Sequence, residues 1–352
     1  MSGRGVEQGE PIEVEVRTDA RGQRLDRFVA QALGLSRAVL RRLFEQGAIR
    51  VDGRAGKKGN RVEAGQKVRV VLGAQSPSAL PDPGRALGVL HADDALVFVD
   101  KPAGIPSHPL RPGEMGTVAN ALLARFPECA SASDDPREGG LCHRLDIDTS
   151  GVLLAARTKQ AWMRVRAAFS RGEVDKRYWA LVTGPIAEEG EIEIPLRHHR
   201  KRKDRVEPAR GEEPGARSAR SLFRVLSRAG QYSLVEVRII TGVLHQVRAH
   251  LAAIGAPVVG DALYGTGSAG GAEPAERPST SRRAPSAARG EPVELRTGLQ
   301  RFFLHARSLE LFHPTTGRSL RVVSPLPADL AEALAERGLA APGDAPATHP
   351  AP

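Results

Sequence analysis

The side chains best suited to chemistry lie together in residues 143–151, which read His-Arg-Leu-Asp-Ile-Asp-Thr-Ser-Gly. This stretch holds two carboxylates, a guanidinium, an imidazole and two hydroxyls, directly before the apolar run 152–156. Gly151 permits a tight turn, and Thr149 and Ser150 can hydrogen-bond that turn in place. Loops held by rigid strands are common places for chemistry. On its own, however, the stretch is more typical of a polar turn before a buried strand.

Three further polar side chains stand at the ends or edges of predicted elements. They are Tyr178 in the run 176–182, Arg248 shortly after His245 and Gln246, and Asp261 in the run Gly-Asp-Ala-Leu-Tyr-Gly. Taken singly, each has a plain structural interpretation, as a core-edge aromatic, a helix-surface cation and a turn former. Their significance therefore depends on whether the fold brings them opposite Asp146.

Several familiar sites are absent from the sequence. It contains no phosphate-binding loop, no Gly-x-Gly-x-x-Gly after a strand, no His-Glu-x-x-His helix, no paired Cys-x-x-Cys and no nucleophile elbow. His198 and His199 sit in a basic loop, and His245 and His250 are spaced awkwardly for one helical face. We therefore predict neither a metal nor a nucleotide cofactor.

The elements that must position these residues follow from hydrophobic periodicity. Their succession predicts an α+β fold with a mixed sheet rather than a regular βαβ series. The predicted strands are 95–99, 177–183, 220–226, 232–240, 302–312 and 320–323, and the predicted helices are 118–126, 161–169 and 245–254. Residues 197–220, with nine Lys or Arg against four acids, are predicted to form an exposed basic loop.

The N-terminal residues 13–75 form a separate, strongly basic unit with two helical periods and short strands. Between Ser36, a candidate N-cap, and Gln75 there are ten Lys or Arg against three acids. Arg37, Arg41 and Arg42 cluster at the second helix, which favours phosphate contact over a merely solvated face. Through the runs 24–28, 36–37 and 49–53 the unit resembles the RNA-binding domain named after ribosomal protein S-four, a resemblance that implies a ligand class but no reaction.

Composition is consistent with such a partner. The 352 residues carry a net charge of +10, and the isoelectric point near 10.2 favours a polyanionic ligand. Two cysteines cannot build a disulfide framework, and neither a signal peptide nor a membrane-spanning run is recognisable. We expect a soluble, cytoplasmic protein, monomeric and not bound to a membrane.

The predicted organisation is as follows. A small α/β RNA-binding domain precedes a catalytic domain with a mixed, mainly antiparallel sheet. The predicted boundaries are a flexible tail at 1–12, the binding domain at 13–75, a linker at 76–88, the catalytic domain at 89–330 with a disordered insert at 265–297, and a C-terminal helix end and tail at 331–352.

Taken together and in order, the motifs of the second domain resemble those of the RluA-type pseudouridine synthase family. The resemblance runs from about Val89 to Pro327. It is carried by five stretches: residues 143–151, the strand around Tyr178, residues 241–265, Lys101-Pro102-Ala103-Gly104, and 304–306 with 313–317. Many members of that family carry an N-terminal S-four-like domain.

The resemblance implies a role for each candidate. Asp146 matches the catalytic aspartate, which either attacks ribose or abstracts a sugar proton, and Arg248 matches the arginine paired with it. Tyr178 matches the tyrosine that stacks on the target base, and Arg144 the residue that fills the gap left by an extruded uridine. We further expect contacts to substrate or RNA from four more residues, namely Thr149, Ser150, His245 and Gln246. The implied reaction converts uridine to pseudouridine without a cofactor, and the expected substrate is large-subunit ribosomal RNA.

Two departures from the family pattern leave alternatives open. Val243-Leu244 stands where an Arg usually follows Thr-Gly, and Ile147 stands where a basic residue is frequent. Both could weaken RNA contact, and they are the only support for a rival hypothesis, an RNA-binding or ribosome-assembly factor with weak or no catalysis. A glycosidic hydrolase using Asp146 would need a second flanking carboxylate, for which Asp148 lies too near in sequence.

Overall fold

The computed structural model describes residues 11–35, 37–45, 47–71, 79–111, 113–202, 204–211, 213–265 and 299–343. These divide into two compact units. The first comprises the described residues up to Arg85 together with His108–Gly140, and the second comprises Ala86–Ser107 and the described residues from Leu141 onward. Residues 108–140, which we assigned to the catalytic domain from sequence, thus group with the N-terminal residues.

The first unit is a small antiparallel sheet covered by two amphipathic helices. Its sheet has the order β1-β4-β2-β3. Its elements are β1 Pro11–Glu15, α1 Leu25–Leu33, α2 Arg37–Glu45, β2 Ile49–Val51, β3 Arg54–Ala55, β4 Lys67–Val71 and, after the excursion through the second unit, α3 Val118–Arg125.

Its core forms because both helices present apolar residues at helical spacing. Leu25, Phe28 and Val29 of α1 and Leu40 and Leu43 of α2 are buried against the sheet. These residues pack on strand side chains that alternate between the faces of the sheet, among them Ile49, Val68 and Val70. Arg41 of α2 is exposed.

The second unit is built on one long, twisted sheet. Its strands run in the order β5-β6-β7-β14-β8-β13-β12-β9, with β15 paired to β14. They are β5 Gly88–Ala92, β6 Leu96–Lys101, β7 Ser150–Ala156, β8 Asp175–Thr183, β9 Glu189–Glu193, β12 Arg220–Ala229, β13 Tyr232–Ile239, β14 Leu304–Phe312 and β15 Ser319–Val323. Two further strands, β10 Leu196–His198 and β11 Val206–Pro208, pair with each other outside this sheet. The helices are α4 Lys159–Arg171, α5 Gln246–Ala253 and α6 Ala328–Ala335.

The pairing of this sheet is antiparallel except between β7 and β14, which are parallel. The predicted α+β class with a mainly antiparallel sheet is therefore confirmed. Every strand and helix predicted for this region forms, with ends that move by a few residues. The central strand β7 is buried along its whole length, which explains the unbroken apolar run that follows Gly151.

The predicted exposed loop at 197–220 is wrong in its first half. β10 and β11 pair there as a two-stranded hairpin, whose Leu196 and Val206 are almost fully buried. Arg197 forms ion pairs with Glu207 and Glu213. The apolar residues that anchor the hairpin are too sparse to give a period among so many charges.

Several predicted segments differ from the structure or lie outside the residues that it describes. The predicted tail at 1–12 overlaps β1, which begins at Pro11. The predicted insert at 265–297, the candidate N-cap Ser36 and the end of the C-terminal tail lie outside the described residues, apart from Gly265. Within the part of the chain that the structure describes, no helix is long and apolar enough to cross a membrane.

Candidate active site

Asp146 lies on the loop that leads into β7, and its side chain is partly exposed. The residues next to it on the loop differ in their exposure. Arg144 is exposed, Leu145 is buried, and Ile147 is 49% exposed. Leu145 is fixed by Ser107, whose hydroxyl accepts the Leu145 N–H at 3.1 Å and donates to its carbonyl at 3.0 Å. Arg144 and Asp146, on either side of the buried Leu145, both keep access to solvent.

Lys101, at the end of β6, anchors the same loop from within the protein. Its ammonium is fully buried and donates to the carbonyls of Ile147 at 2.7 Å, Thr149 at 2.8 Å and Pro102 at 3.0 Å. Burial lowers the pKa of Lys101 to about 7, although the nearby carboxylates of Asp148 and Asp146 act to raise it. The lysine thus holds the loop through three main-chain oxygens, which leave no signature in the sequence.

The hydroxyls predicted to contact RNA are instead enclosed. Thr149 and Ser150 are buried. The Ser150 hydroxyl lies 3.0 Å from Nδ1 of His305 and accepts from Nη1 of Arg301 at 3.2 Å. The His305 Nε2 faces the carbonyl of Ser324, so Nδ1 accepts the Ser150 proton. Both hydroxyl residues shape the loop that presents Asp146.

Gly151 is required where β7 passes β14. Ser150 and Gly151 pair with His305 and Ala306 in parallel, and Gly151 has φ of 114°. A Cβ on Gly151 would stand 2.2 Å from the carbonyl oxygen of Ala306. No side chain fits there.

Arg248, on α5, joins Asp146 to a second carboxylate. Its Nη1 is 3.2 Å from Oδ2 of Asp146, while Nε and Nη2 bind the two oxygens of Asp261 at 2.6 and 2.9 Å. The guanidinium is buried, and its carbon lies 4.1 Å from the centre of the Phe302 ring. Burial opposes the charge of Arg248, but Asp261 and Asp146 more than offset it and raise its pKa. Arg248 therefore stays a cation and orients Asp146.

Asp261 does more than form a turn. Besides its paired contact to Arg248, Oδ1 accepts the N–H groups of Leu263 at 2.9 Å and Tyr264 at 3.1 Å. The side chain of Asp261 is completely buried. The second acid of the site is therefore Asp261 rather than Asp148, although only the turn-forming role was visible in the sequence.

Tyr178 lies on β8 between Val237 of β13 and Ala306 of β14. It is 8% exposed. Burial, with a smaller contribution from the negative charge of Asp146, raises the pKa of Tyr178 well above its usual range. The phenol is accordingly protonated near neutral pH, and it lies near enough to Asp146 to interact with the charge of that carboxylate.

His245 stands beside the carboxylate in an uncommon backbone conformation. Its φ is 52°, and its Nε2 is 3.8 Å from Oδ1 of Asp146. Gln246, in contrast, is buried, and its amide is used within the protein by Thr241, Val243, Arg220 and Ser221. The Gln246 side chain organises the turn into α5 and is not directed at a ligand.

His143 also has a structural role. Its Nε2 accepts the N–H of Leu154 at 3.0 Å. Burial, reinforced by the charges of Lys176 and Arg166, lowers the pKa of His143 to about 3. This imidazole is neutral and holds the loop against β7.

The residues predicted to contact phosphate lie in the other unit. Arg41 is exposed on α2, and the side chains of Arg37 and Arg42, on the same helix, lie outside the described part. Val243 and Leu244, where the family usually has an Arg, pack against the buried cluster formed by the hairpin, α5 and Tyr264. Among the described residues, no group of three or more His, Cys, Asp or Glu side chains is arranged to hold a metal ion.

Comparison with known proteins places this site in a family. A model described as RNA pseudouridylate synthase matches residues 95–253. An uncharacterized RNA pseudouridine synthase of Chloroflexus aurantiacus is 36% identical over 334 residues, covering 94% of this chain and 96% of the relative. The ribosomal large subunit pseudouridine synthase D of Xanthomonas campestris is 33% identical, covering 92% and 93%.

Solved structures agree. Human RNA pseudouridylate synthase domain containing 4 has a TM-score of 0.53 and 27% identity, and the match covers 73% of this chain and 95% of that chain. A second human protein, RNA pseudouridylate synthase domain containing 1, gives 0.51 and 25%, covering 72% and 89%. The chain belongs to the RNA pseudouridine synthase family, which makes it an isomerase that acts on RNA.

Proposed function

We propose that this protein converts specific uridines to pseudouridine in large-subunit ribosomal RNA, with Asp146 as its catalytic carboxylate. The observation that carries the proposal is the chain of contacts from Asp146 to Arg248 to the buried Asp261. This arrangement presents one carboxylate, fixed in orientation and still partly open to solvent, which is what a nucleophile or base requires.

The reaction needs no redox change and no added group. The bond from ribose C1′ to N1 of uracil breaks, the base turns, and C1′ joins C5. The proton on C5 is lost and N1 gains one, so the atoms balance. Asp146 acts either by attacking the ribose or by abstracting a sugar proton, and its geometry is compatible with both. In either case Arg248 holds Oδ2 of the carboxyl group in place.

Tyr178 and Arg144 are assigned the handling of the extruded nucleotide. Tyr178 offers an apolar ring face and a hydroxyl beside Asp146, which suits a flipped base. Its raised pKa favours a stacking role over that of a proton acceptor. Arg144 is exposed on the catalytic loop, and we assign to it the filling of the space that the base leaves.

Binding to the RNA backbone is assigned to the first unit, chiefly to Arg37, Arg41 and Arg42 on α2. The ribosomal substrate is supported by relatives named as large-subunit synthases. A cytoplasmic location and a monomeric state go with this substrate and remain predictions. His245 remains part of the proposed site. Gln246, Thr149 and Ser150 are proposed to support the site as buried residues that do not contact the RNA.

The first test follows release of a label from carbon 5 of uracil in ribosomal RNA. The wild-type protein should release it, and Asp146→Asn should not, because an amide is neither a nucleophile nor a base there. Asp148→Asn is the matched control, since it removes the same charge two residues away, and it should retain release. Persistent release by a clean Asp146→Asn preparation would overturn the assignment.

The substrate is tested separately by mapping pseudouridines in cells with and without the protein. We expect one or more uridines of large-subunit RNA to lose modification. Loss confined to transfer RNA would overturn the ribosomal assignment while leaving the chemistry intact. Binding of RNA with no pseudouridine formed would instead favour the rival hypothesis of an assembly factor.

A further inference from the structure

Tyr264 belongs to a short chain of polar contacts that ends at the catalytic loop. The Tyr264 hydroxyl accepts the N–H of Val206, the first residue of β11, at 2.9 Å. The same hydroxyl lies 3.2 Å from Nδ1 of His245. The other ring nitrogen of His245, Nε2, is 3.8 Å from Oδ1 of Asp146. The chain of contacts therefore runs from a main-chain amide to the carboxylate.

The direction of the proton in this chain follows from the donors. Burial raises the pKa of Tyr264, so its hydroxyl keeps a proton to donate. Because the Val206 N–H already donates to the oxygen, Tyr264 best donates its own proton to Nδ1 of His245. The opposite arrangement, with a proton on Nδ1, would leave a buried hydroxyl proton without an acceptor among the described residues, which is unfavourable.

His245 itself is held in place at a conformational cost. With φ of 52° it is one of two non-glycine residues with positive φ among the described ranges, the other being Asp52 of the first unit. Such conformations persist where the surroundings over-determine them, and they cluster at functional sites. In this backbone conformation the His245 ring, immediately before α5, lies between Tyr264 and Asp146.

His245 has a single ring proton near neutral pH. Burial lowers its pKa, and the charges around it act in both directions. Asp146 and Asp261 favour the protonated ring, while Arg248 and Arg144 oppose it. Beyond Tyr264, the guanidinium of Arg205 also faces that phenol ring. A neutral imidazole can present either a proton or a lone pair to a carboxylate, so its tautomer decides whether the contact attracts or repels.

We propose that Tyr264 fixes the tautomer of His245 with the proton on Nε2, facing Oδ1 of Asp146, and that His245 and Tyr264 are positioning residues for this carboxylate. Arg248 already holds the other oxygen, Oδ2. The two donors together define the plane of the carboxylate group. The hairpin β10–β11 becomes part of the catalytic apparatus through Val206. This inference rests on the proposed role of Asp146.

The test uses the full chain labelled with ¹⁵N-histidine and reads the ring nitrogens by NMR near neutral pH, without substrate. His245→Asn identifies the resonances, since Asn tolerates positive φ. We expect Nε2 of His245 to be protonated and Nδ1 unprotonated. In Tyr264→Phe, both nitrogens should shift toward averaged values because the two tautomers mix. Tyr232→Phe, which changes a tyrosine at the start of β13, should leave them unchanged.

Activity provides the second readout. In Tyr264→Phe, kcat for label release should fall about three- to tenfold, as expected when one hydrogen bond is removed. KM should change by less than about twofold, since Tyr264 is only 6% exposed. A merely structural role would lower the folded fraction without altering the tautomer of the molecules that remain folded.

Three outcomes would overturn the proposal: a wild-type His245 protonated on Nδ1, an unchanged tautomer in Tyr264→Phe, or a mixed tautomer with unchanged kcat. The first needs no variant, so the test stands even if Tyr264→Phe folds poorly. Because the NMR measurement requires no RNA, it also separates this inference from the proposed function. A protein with the expected tautomer that forms no pseudouridine would contradict the function alone.

Discussion

Asp261 shows how a residue that looks like a turn former can determine the charge state of a site. It is completely buried, and both of its oxygens face Arg248. Without it, a buried guanidinium would have only the partly exposed Asp146 as a counter-ion. Through Arg248, the orientation of Asp146 therefore depends on an acid 115 residues further along the chain.

We predict that Asp261→Asn lowers the free energy of unfolding by about 3 kcal/mol, because it leaves a buried cation with one partner fewer. Asn keeps the acceptor for the Leu263 and Tyr264 N–H groups, so the turn survives. Asp204→Asn is the matched control, since Asp204 pairs with Arg202 at a place where both side chains are more than half exposed. It should cost less than about 1 kcal/mol. Urea denaturation measures both, and equal reductions would contradict the argument.

At this scale the sequence was informative where side chains meet side chains in a recognisable motif. Asp146, Tyr178 and Arg248 were predicted and lie together in the second unit. Lys101 was noticed only as part of a motif, because its partners are main-chain carbonyls that any residue could supply. His143 was placed among the candidates for chemistry on residue type alone, whereas its ring is used to hold the backbone of β7.

Among the elements, the junction of β7 and β14 sets the geometry of the site. It is the one parallel pairing among the described strands of the long sheet, and it brings the end of the catalytic loop against His305 and Ala306. The approach is close enough to exclude any side chain at Gly151. The glycine that seemed to permit a turn is in fact required by a neighbouring strand.

Gly151→Ala should therefore be severe. We expect it to lower the free energy of unfolding by more than about 3 kcal/mol, since it combines an unfavourable φ with a clash against main-chain atoms. Gly317→Ala is the matched control, because Gly317 also has positive φ, at 71°, but a Cβ there meets nothing within 4 Å. That change should cost only about 1 kcal/mol. Thermal and urea unfolding would decide, and a mild effect of Gly151→Ala would show that β14 can move away.

The hairpin β10–β11 is an element that hydrophobic periodicity in the sequence could not predict. Its two strands span three residues each, too short to establish alternation, and charges outnumber apolar residues around them. What stabilises it is burial of Leu196 and Val206 against α5 and Tyr264. Such an element is defined by a surface elsewhere in the fold, so its own sequence could not reveal it.

For the molecule as a whole, the residues proposed to bind RNA and the residues proposed to catalyse the reaction lie in different units. The arginines predicted to contact phosphate lie on α2 of the first unit, while Asp146, Arg248, Asp261, His245 and Tyr178 all belong to the second. We therefore expect affinity for RNA and rate of isomerisation to respond to different substitutions.

The triple variant Arg37→Gln, Arg41→Gln, Arg42→Gln should weaken RNA binding and reduce the slope of log K against log salt by about 0.7 to 0.9 for each phosphate that the protein no longer neutralises. The matched control removes three arginines that form ion pairs on the second unit, Arg171, Arg220 and Arg228. Filter binding at several salt concentrations measures both. An equal change of slope in the control would assign binding to overall charge rather than to α2.

The fold class and the order of elements could be predicted because long apolar periods determine them. The grouping of residues into compact units could not, because the chain leaves the first unit at Arg85 and returns to it at His108. Sequence reasoning treats neighbours along the chain as neighbours in space, and α3 breaks that assumption.

The parallel contact between β7 and β14 also has a consequence for the timing of synthesis. Ser150 and His305 are 155 residues apart, so the loop bearing Asp146 emerges from the ribosome well before the strand that fixes it. At about 5–20 residues per second, that interval is roughly eight to thirty seconds. A nascent chain in that interval carries every residue of the catalytic loop but lacks the strand that holds Ser150 and Gly151. We therefore expect the newborn protein to be inactive toward the RNA around it until translation has passed β14.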